Sequence, residues 1–463
     1  MTLIKSISGI RGTIGGQVGE NLTPIDAVKF ASAYGVWLKQ QRQKDNYKVV
    51  VGRDARISGK MIQNLVMNTL VGLGIDVVNV GLSTTPTVEV AVPMEHADGG
   101  IILTASHNPK QWNALKLLNA KGEFLNAFEG AKILDIAESD AMSFADVDSL
   151  GKITRNKAYI DLHIIEVLDL DLVNVKAIEE ERFKVVVDGV NSTGGIAIPL
   201  LLERLGVDVV KLYCEPNGEF PHNPEPLKEH LTDLSDAVKK HNADFGIVVD
   251  PDVDRLAFMD ENGDMFGEEY TLVACADYVL SKTPGGNTVS NMSSTRALKD
   301  VTEKHGGMYE ASAVGEVNVV NLMKKNKVVI GGEGNGGIIY PDSHYGRDAL
   351  VGVALFLSLL ADKRMSVSEL KKTYPSYFMG KKKIELTPDL DVDGILKTIE
   401  ERYKNEQLTT IDGVKIDFSE SWVHLRKSNT EPIIRIYTEA KSQEEADTLG
   451  DKFIEEIGAI AQS

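Results

Sequence analysis

The chain has 463 residues, of which 43% are hydrophobic and 25% charged. That is enough for roughly two to four ordinary domains, and it excludes disordered, fibrous and disulfide-stapled classes. Lys and Arg number 50 against 68 Asp and Glu, a formal net charge of −18. Neither nucleic acid nor an anionic membrane is therefore an expected partner, and any phosphate must meet a local cluster of basic side chains. The two cysteines, Cys214 and Cys275, form no CxxC pair, which argues against a Cys zinc site and fits a reducing, cytoplasmic setting. Met1 to Gly16 carries no long apolar run, so neither a leader nor an anchor is expected there, and no stretch is apolar enough to span a bilayer.

In chain order, Tyr47-Lys48-Val49-Val50-Val51 reads as a buried strand. A helix from Lys60 to Leu73 follows, then Gly74 and a second strand, Ile75 to Val78. Lys184 to Val187, a helix through Leu205, Gly206 and Val207 to Val210 repeat that plan in nearly the same words. The repeat lies on the order of 135 residues further on and marks duplicated βαβ units. A fainter third copy runs from Thr288-Val289-Ser290 to His305-Gly306-Gly307. Each copy is followed by an apolar strand that leads into an unusual polar loop. Gly99 to Leu103 leads into Thr104-Ala105-Ser106-His107-Asn108-Pro109. Phe245 to Val249 leads into Asp250-Pro251-Asp252-Val253-Asp254-Arg255. Lys327 to Ile330 leads into Gly331-Gly332-Glu333-Gly334-Asn335-Gly336-Gly337. Ligands of α/β sheets sit at the carboxyl ends of strands, so the three loops predict one shared site at a domain junction. Ser366 to Pro375 reads as a linker. Beyond it, Lys381–Glu385, Val414–Phe418, Trp422–Leu425 and Ile433–Tyr437 read as strands, and Val392–Lys404 and Ser442–Ile457 as helices, giving an α+β unit.

The chemistry follows from the loops. Asp250, Asp252 and Asp254 alternate, which on an extended segment puts three carboxylates on one face. Such a trio repels itself unless a cation lies among them, and oxygen-only ligands suit Mg²⁺. An EF-hand is excluded, because Arg255 stands where that loop needs glycine. Ser106 lies outside any GxSxG elbow, which excludes a hydrolase of that type. Phosphorylated, it would offer an oxygen to the same metal. Arg426, Ser428, Asn429 and Thr430 supply a cationic fork, hydroxyls and an amide, a set suited to a phosphate dianion. Glu333 and Asn335 are the side chains of the glycine-rich loop able to bind hydroxyl groups. That loop lacks the Lys and Ser/Thr of a Walker motif.

The ordered set TASHNP, DPDVDR, GEGNGG and RKSNTEP, with SGIRG at Ser8 to Gly12, resembles the α-D-phosphohexomutase family over the whole chain. The resemblance implies three similar α/β/α domains with mixed sheets and a smaller α+β C-terminal domain around a central cleft. The expected spans are 1–154, 155–260, 261–370 and 371–463. It implies a phosphoserine at Ser106 and one Mg²⁺ per chain held by Ser106, Asp250, Asp252 and Asp254. Arg11, Lys116 and Arg255 would lie near the reacting groups, with Lys116 as general base if burial beside Arg lowers its pKa. Glu333 and Asn335 would take sugar hydroxyls, and Arg426, Ser428, Asn429 and Thr430 the non-reacting phosphate. The implied reaction interconverts hexose 6-phosphate and 1-phosphate through a sugar 1,6-bisphosphate. Gly337 and the Gly315-Glu316 pair stand where members acting on mannose and glucose phosphates carry His. Glu316 near the sugar implies glucosamine phosphate as substrate, with phosphomannomutase/phosphoglucomutase activity as the alternative. The oligomeric state is left open.

Overall fold

Three times along the chain the same four-strand pattern is built. The computed structural model describes residues 2–6, 9–139, 142–385, 391–428 and 433–461. In the first sheet, Ile75–Leu82, Tyr47–Arg53, Gly99–Leu103 and Trp112–Leu118 lie side by side; the first three are parallel and the last antiparallel. The second sheet repeats that order with Asp208–Leu212, Lys184–Asp188, Phe245–Val249 and Leu256–Met259. The third does so with Tyr309–Ser312, Thr288–Asn291, Ile330–Glu333 and Gly337–Ile339. In every copy the polar loop is the hairpin that turns the third strand into the antiparallel fourth. The first sheet is widened by Ile4–Ser6 and Gly9–Thr13 at one edge and Ile153–Arg155 at the other.

The parallel strands are buried on both faces, which is why they read as unbroken β-branched runs. Val49 to Val51 and Val185 to Val187 are fully enclosed. The first domain has a core of its own. The second and third share one continuous apolar core, centred on Phe258 stacked on Phe356 at 3.7 Å between ring centroids.

Three expectations are corrected. Ser366–Pro375 is not a free linker: Ser366 and Glu369 close a capping box on a helix, Val367–Lys371, whose Val367 and Leu370 enter the shared core. Boundaries at 154/155 and 370/371 would cut the strand Ile153–Arg155 and this helix, so both junctions lie slightly further on. The third sheet's strand runs through Gly331-Gly332-Glu333 rather than ending at Ile330. A Cβ at Gly331 would lie 2.6 Å from the Val289 carbonyl oxygen, so only glycine lets the strands pair there.

The last unit is a five-stranded antiparallel sheet in the order Phe378–Glu385, Ile433–Ala440, Trp422–Lys427, Val414–Asp417, Gln407–Thr409. Helices Val392–Arg402 and Gln443–Ala461 pack with it around a separate core. The short strand Gln407–Thr409 was not anticipated. Among the described residues no helix is long and apolar enough to cross a membrane.

Candidate active site

Ser106 sits at the carboxyl end of Gly99–Leu103, buried, with φ +49°, a left-handed conformation uncommon for a residue bearing a Cβ. A buried framework holds it there. Its N–H donates to Thr104 Oγ1 at 3.0 Å, and that hydroxyl donates to Asp54 Oδ2 at 2.7 Å. Arg56, paired through Nε with Asp54 at 2.9 Å, donates to the Ser106 carbonyl and to the carbonyls of Asn108, Pro109 and Trp112. The Ser106 hydroxyl is thereby aimed across the domain boundary and donates to Asp250 Oδ2 at 2.6 Å.

Asp250, Asp252 and Asp254 are fully buried, with one ligand atom from each within 4.8 Å of the others. They converge through a tight turn, not through the alternation of an extended segment. The turn is closed by Val253 N–H on the Asp250 carbonyl at 3.1 Å and by the Asp254 and Arg255 amides on Asp250 Oδ1. Val253, β-branched and buried, is forced to φ +65°. Every neighbour pins this loop. Ser192 and Thr193 hydroxyls donate to the Pro251 carbonyl. Thr85 of the first domain donates to Asp252 Oδ2, and Ala349 of the third donates to the Val253 carbonyl.

Burial, reinforced by Asp252 and Asp254, pushes the Asp250 pKa well above the usual carboxylate range. Burial acts the same way on Asp254, but Arg347 and Lys116 outweigh it and hold that carboxyl below the usual range. Asp252 Oδ1 and Asp254 Oδ1 are buried and accept no hydrogen bond. Two unsatisfied anionic oxygens beside a serine hydroxyl fit a hard divalent cation, and the remaining carboxylate oxygens are already engaged by backbone amide, hydroxyl or cationic donors.

Lys116, on the strand Trp112–Leu118, donates to Asp252 at 2.7 Å and to Asp254 at 3.3 Å. Burial alone would lower its pKa, but these carboxylates outweigh burial and raise it. The expected lowering is therefore not found in this arrangement: the ammonium is neutralising buried anions. Arg11 donates to Asn108 Oδ1 at 2.9 Å, which places it against the serine loop. Its pKa is lowered by burial and by Arg255. Arg255 pairs with Glu225 at 3.4 Å and leaves Nε without a partner. His107 lies 3.4 Å from Ser106 Oγ, its pKa held well below the usual imidazole value by burial and then by the charges of Arg255 and Arg11.

Glu333 accepts from Asn291 at 2.8 Å and from the Gly315 N–H, and Asn335 accepts from the Gly337 N–H at 3.2 Å. Gly336, at φ +85°, is where the glycine-rich loop crosses the second domain: a Cβ would lie 2.1 Å from the Leu256 carbonyl oxygen. Arg347 joins the loops. It donates to Asp254 at 2.7 Å, Glu316 at 2.9 Å and Glu333 at 3.0 Å. Glu316 is thus already engaged rather than free, and burial still raises its pKa against the pull of Arg347.

In the fourth domain, Arg426 lies 3.2 Å from Asp412 as an ion pair, with its Nε–H not aimed for a hydrogen bond. The Ser428 N–H donates to the Ile433 carbonyl at 2.9 Å. Asn429 and Thr430 lie outside the described residues. The domain docks on the third through Ser293 Oγ at 2.8 Å from His424 Nδ1, through the Val314 N–H on Asp412, and through the Arg296 N–H on Glu439.

Sequence reasoning missed Arg56 and Arg347. Both sit in loops just ahead of a helix, Gly59–Gly72 and Ala349–Lys363; the phrase Gly346-Arg347-Asp348 directly before an apolar helix was the available signal for Arg347, and none marked Arg56.

The chain matches the phosphoglucomutase/phosphomannomutase domains in order: alpha/beta/alpha domain I over residues 3–143, domain II over 158–263, domain III over 267–377 and the C-terminal domain over 382–456. It is 37% identical over 456 residues to a phosphoglucomutase/phosphomannomutase of Thermococcus kodakarensis, covering 96% of this chain and 98% of that one. It is 31% identical over 447 residues to a phosphoglucosamine/phosphogalactosamine mutase of Sulfurisphaera tokodaii, covering 95% and 96%. A crystal structure of a phosphoglucomutase/phosphomannomutase family protein from Burkholderia thailandensis superposes with a TM-score of 0.83 at 24% identity, over 98% of this chain and 96% of that one.

The docking of the fourth domain gives a pH dependence. His424 is buried, with Nδ1 accepting from Ser293 and Nε2–H donating to the Asp412 carbonyl at 2.7 Å. Burial lowers its pKa from 6.5 to about 4. Between those values the unfolded chain binds more protons than the folded one, so stability falls as pH drops through that window. Urea midpoints measured from pH 7 to pH 4.5 should fall more steeply for the wild type than for His424→Gln; equal slopes would remove His424 from the account.

Proposed function

The chain belongs to the phosphoglucomutase/phosphomannomutase family and is a hexose-phosphate mutase, and from that premise we propose that Ser106 carries the transferred phosphoryl group and that glucosamine phosphate is the preferred substrate. The observation that carries the proposal is the Ser106 hydroxyl on Asp250 at 2.6 Å, inside a buried acidic trio with two unsatisfied oxygens.

Asp250, Asp252 and Asp254, with an oxygen of Ser106, would hold one Mg²⁺. When bound, the ion supplies a positive charge beside the transferring phosphoryl oxygens. Ser106 is presented by the Arg56 and Asp54 framework, so its phosphoryl group meets the sugar hydroxyl without rearrangement of the loop. As the bond from phosphorus to Ser106 oxygen breaks, a bond to the hydroxyl oxygen of carbon 1 or 6 forms, giving a 1,6-bisphosphate. Arg11 and Arg255 flank the path and offset the charge on the moving group. The sugar hydroxyl loses its proton in the process. Lys116 can accept it only when its two aspartate partners are drawn to another cation, since their pull keeps its pKa raised. After the intermediate turns end for end, the other phosphate returns to Ser106. Arg426 and Ser428, with Asn429 and Thr430, would hold whichever phosphate is not reacting. Glu333 and Asn335 would hold ring hydroxyls.

The amino-sugar preference rests on Glu316 and Glu333, a largely enclosed and a buried carboxylate that share one guanidinium. A cationic 2-amino group adds the missing positive charge, and one such contact is worth about 1–3 kcal/mol, or about 5- to 150-fold in selectivity. A second reading, action on mannose and glucose phosphates, is favoured by Arg347 already satisfying Glu316 at 2.9 Å.

Two experiments test this. Purified wild type treated with a sugar bisphosphate should gain the mass of one phosphate, and Ser106→Ala should gain none and lose several orders of magnitude in turnover; a folded Ser106→Ala protein of near-wild-type activity would refute the role of the serine. Catalytic efficiency compared on glucosamine, glucose and mannose 6-phosphates in one preparation should favour glucosamine, with Glu316→Gln narrowing the gap. Tenfold superiority of mannose or glucose phosphate would promote the second reading.

A further inference from the structure

On the segment that carries Arg347, a second cluster joins three domains and takes no part in the reaction above. His163 stands on helix Tyr159–Leu168 of the second domain, buried. His344 and Asp348 belong to the third, and Thr87 and Glu89 to helix Thr85–Met94 of the first. His163 Nε2 lies 2.8 Å and His344 Nε2 3.2 Å from the same atom, Asp348 Oδ2. The other oxygen of Asp348 is committed elsewhere, accepting the Leu350 and Val351 amides that open helix Ala349–Lys363. Each imidazole has its far nitrogen facing an oxygen as well, for His344 without a hydrogen bond. His163 Nδ1 is 3.0 Å from Thr87 Oγ1, and His344 Nδ1 is 3.4 Å from Glu89 Oε2. Two imidazoles presenting Nε2 to one point, with each Nδ1 on an oxygen, is the arrangement in which outer partners orient histidine ligands.

Glu89 is an independent sign. It is 2% exposed, and neither carboxylate oxygen accepts a hydrogen bond. A buried carboxylate left so is costly unless a positive charge is near. Space has been kept for it: a Cβ on Gly346 would lie 1.9 Å from Glu89 Oε2. The donor separations of 2.8 and 3.2 Å are close to the edge of about 3.3 Å that a tetrahedron with metal–ligand bonds of about 2.0 Å requires. Two neutral imidazoles with the charges of Asp348 and Glu89 balance a divalent ion. Imidazole nitrogen selects the zinc class over Mg²⁺.

We propose that His163, His344 and Asp348, backed by Thr87 and Glu89, form a second divalent-metal site of zinc-type chemistry that clamps the first three domains together. The ion is held on the segment that carries Arg347, so it fixes the guanidinium that spans Asp254, Glu316 and Glu333. It is distinct from the aspartate trio in ligand type and in preferred metal.

The test uses the full-length protein dialysed against Zn²⁺ with Mg²⁺ in large excess, followed by metal analysis and competition with a chromophoric chelator. One equivalent of Zn²⁺ should remain on the wild type and on Asp252→Asn. Glu89→Gln should bind about 10–100-fold more weakly, and His344→Gln, at the more open edge of the cluster, should hold no stoichiometric zinc. Co²⁺ added to the wild type under the same conditions should give the intense visible bands of a low-coordinate nitrogen-ligated site, a reading independent of any variant's folding. Zinc on the wild type no higher than on His344→Gln, zinc lost with Asp252→Asn, or only the weak spectrum of an octahedral all-oxygen site would each overturn the proposal. Those results would leave the cluster a hydrogen-bonded domain junction.

Discussion

Three carboxylates removed from water at one point, where three domains meet, set the terms for the rest of this molecule. Asp250, Asp252 and Asp254 cannot be buried together on their own account, because each loses its hydration and repels the others. Lys116 from the first domain and Arg347 from the third both reach the trio and meet at Asp254 Oδ2. Neither cation is local to the loop it neutralises, so the charge balance exists only when the domains are assembled. Removing either cation from such a buried set typically costs about 3–5 kcal/mol, because the carboxylates it faced are left uncompensated. The same requirement explains why the loop is bonded to all its neighbours and why Val253 tolerates a backbone conformation that β-branched residues avoid.

The duplication is the second constraint. Each copy delivers its polar hairpin at the same place in its sheet, so placing the three sheets around one centre brings serine, aspartates and the glycine-rich loop together without long insertions. The second and third domains share a core, while the fourth has its own and is attached mainly through hydrogen bonds and ion pairs around Ser293, Arg296 and Val314. A unit joined mainly by polar contacts is the one held least tightly to the rest.

Much of this was legible in the sequence, for identifiable reasons. The buried parallel strands announce themselves as Val-rich runs, and the repeated wording exposed the three units. Ser106 and the aspartates stood out because polar residues directly after such strands lie at the carboxyl edge of the sheet, where ligands of α/β folds sit. What stayed hidden is what depends on partners distant in sequence. Lys116 reads as a lone base, yet 136 residues away Asp252 turns it into a counter-ion. Glu316 reads as a free carboxylate until Arg347 is seen on it, 31 residues later. Arg56 looks like any surface arginine, although it is fully buried and holds the carbonyls of the serine loop. The linker at Ser366 was misread because its capping box, two polar residues three apart, was outweighed by general hydrophilicity.

The central claim is that the aspartate trio is over-charged by design and completed by a cation. Its most direct test is the unfolding midpoint of metal-stripped protein with and without Mg²⁺, in the wild type and in Asp250→Asn, which keeps an acceptor for the loop amides and a partner for Ser106. A ligand at about 100 times its dissociation constant stabilises by about 2.7 kcal/mol. Mg²⁺ should therefore raise the wild-type midpoint clearly and that of the variant little, and without metal the variant should be the more stable of the two. A wild type indifferent to Mg²⁺, or a metal-free variant less stable than the metal-free wild type, would contradict the account.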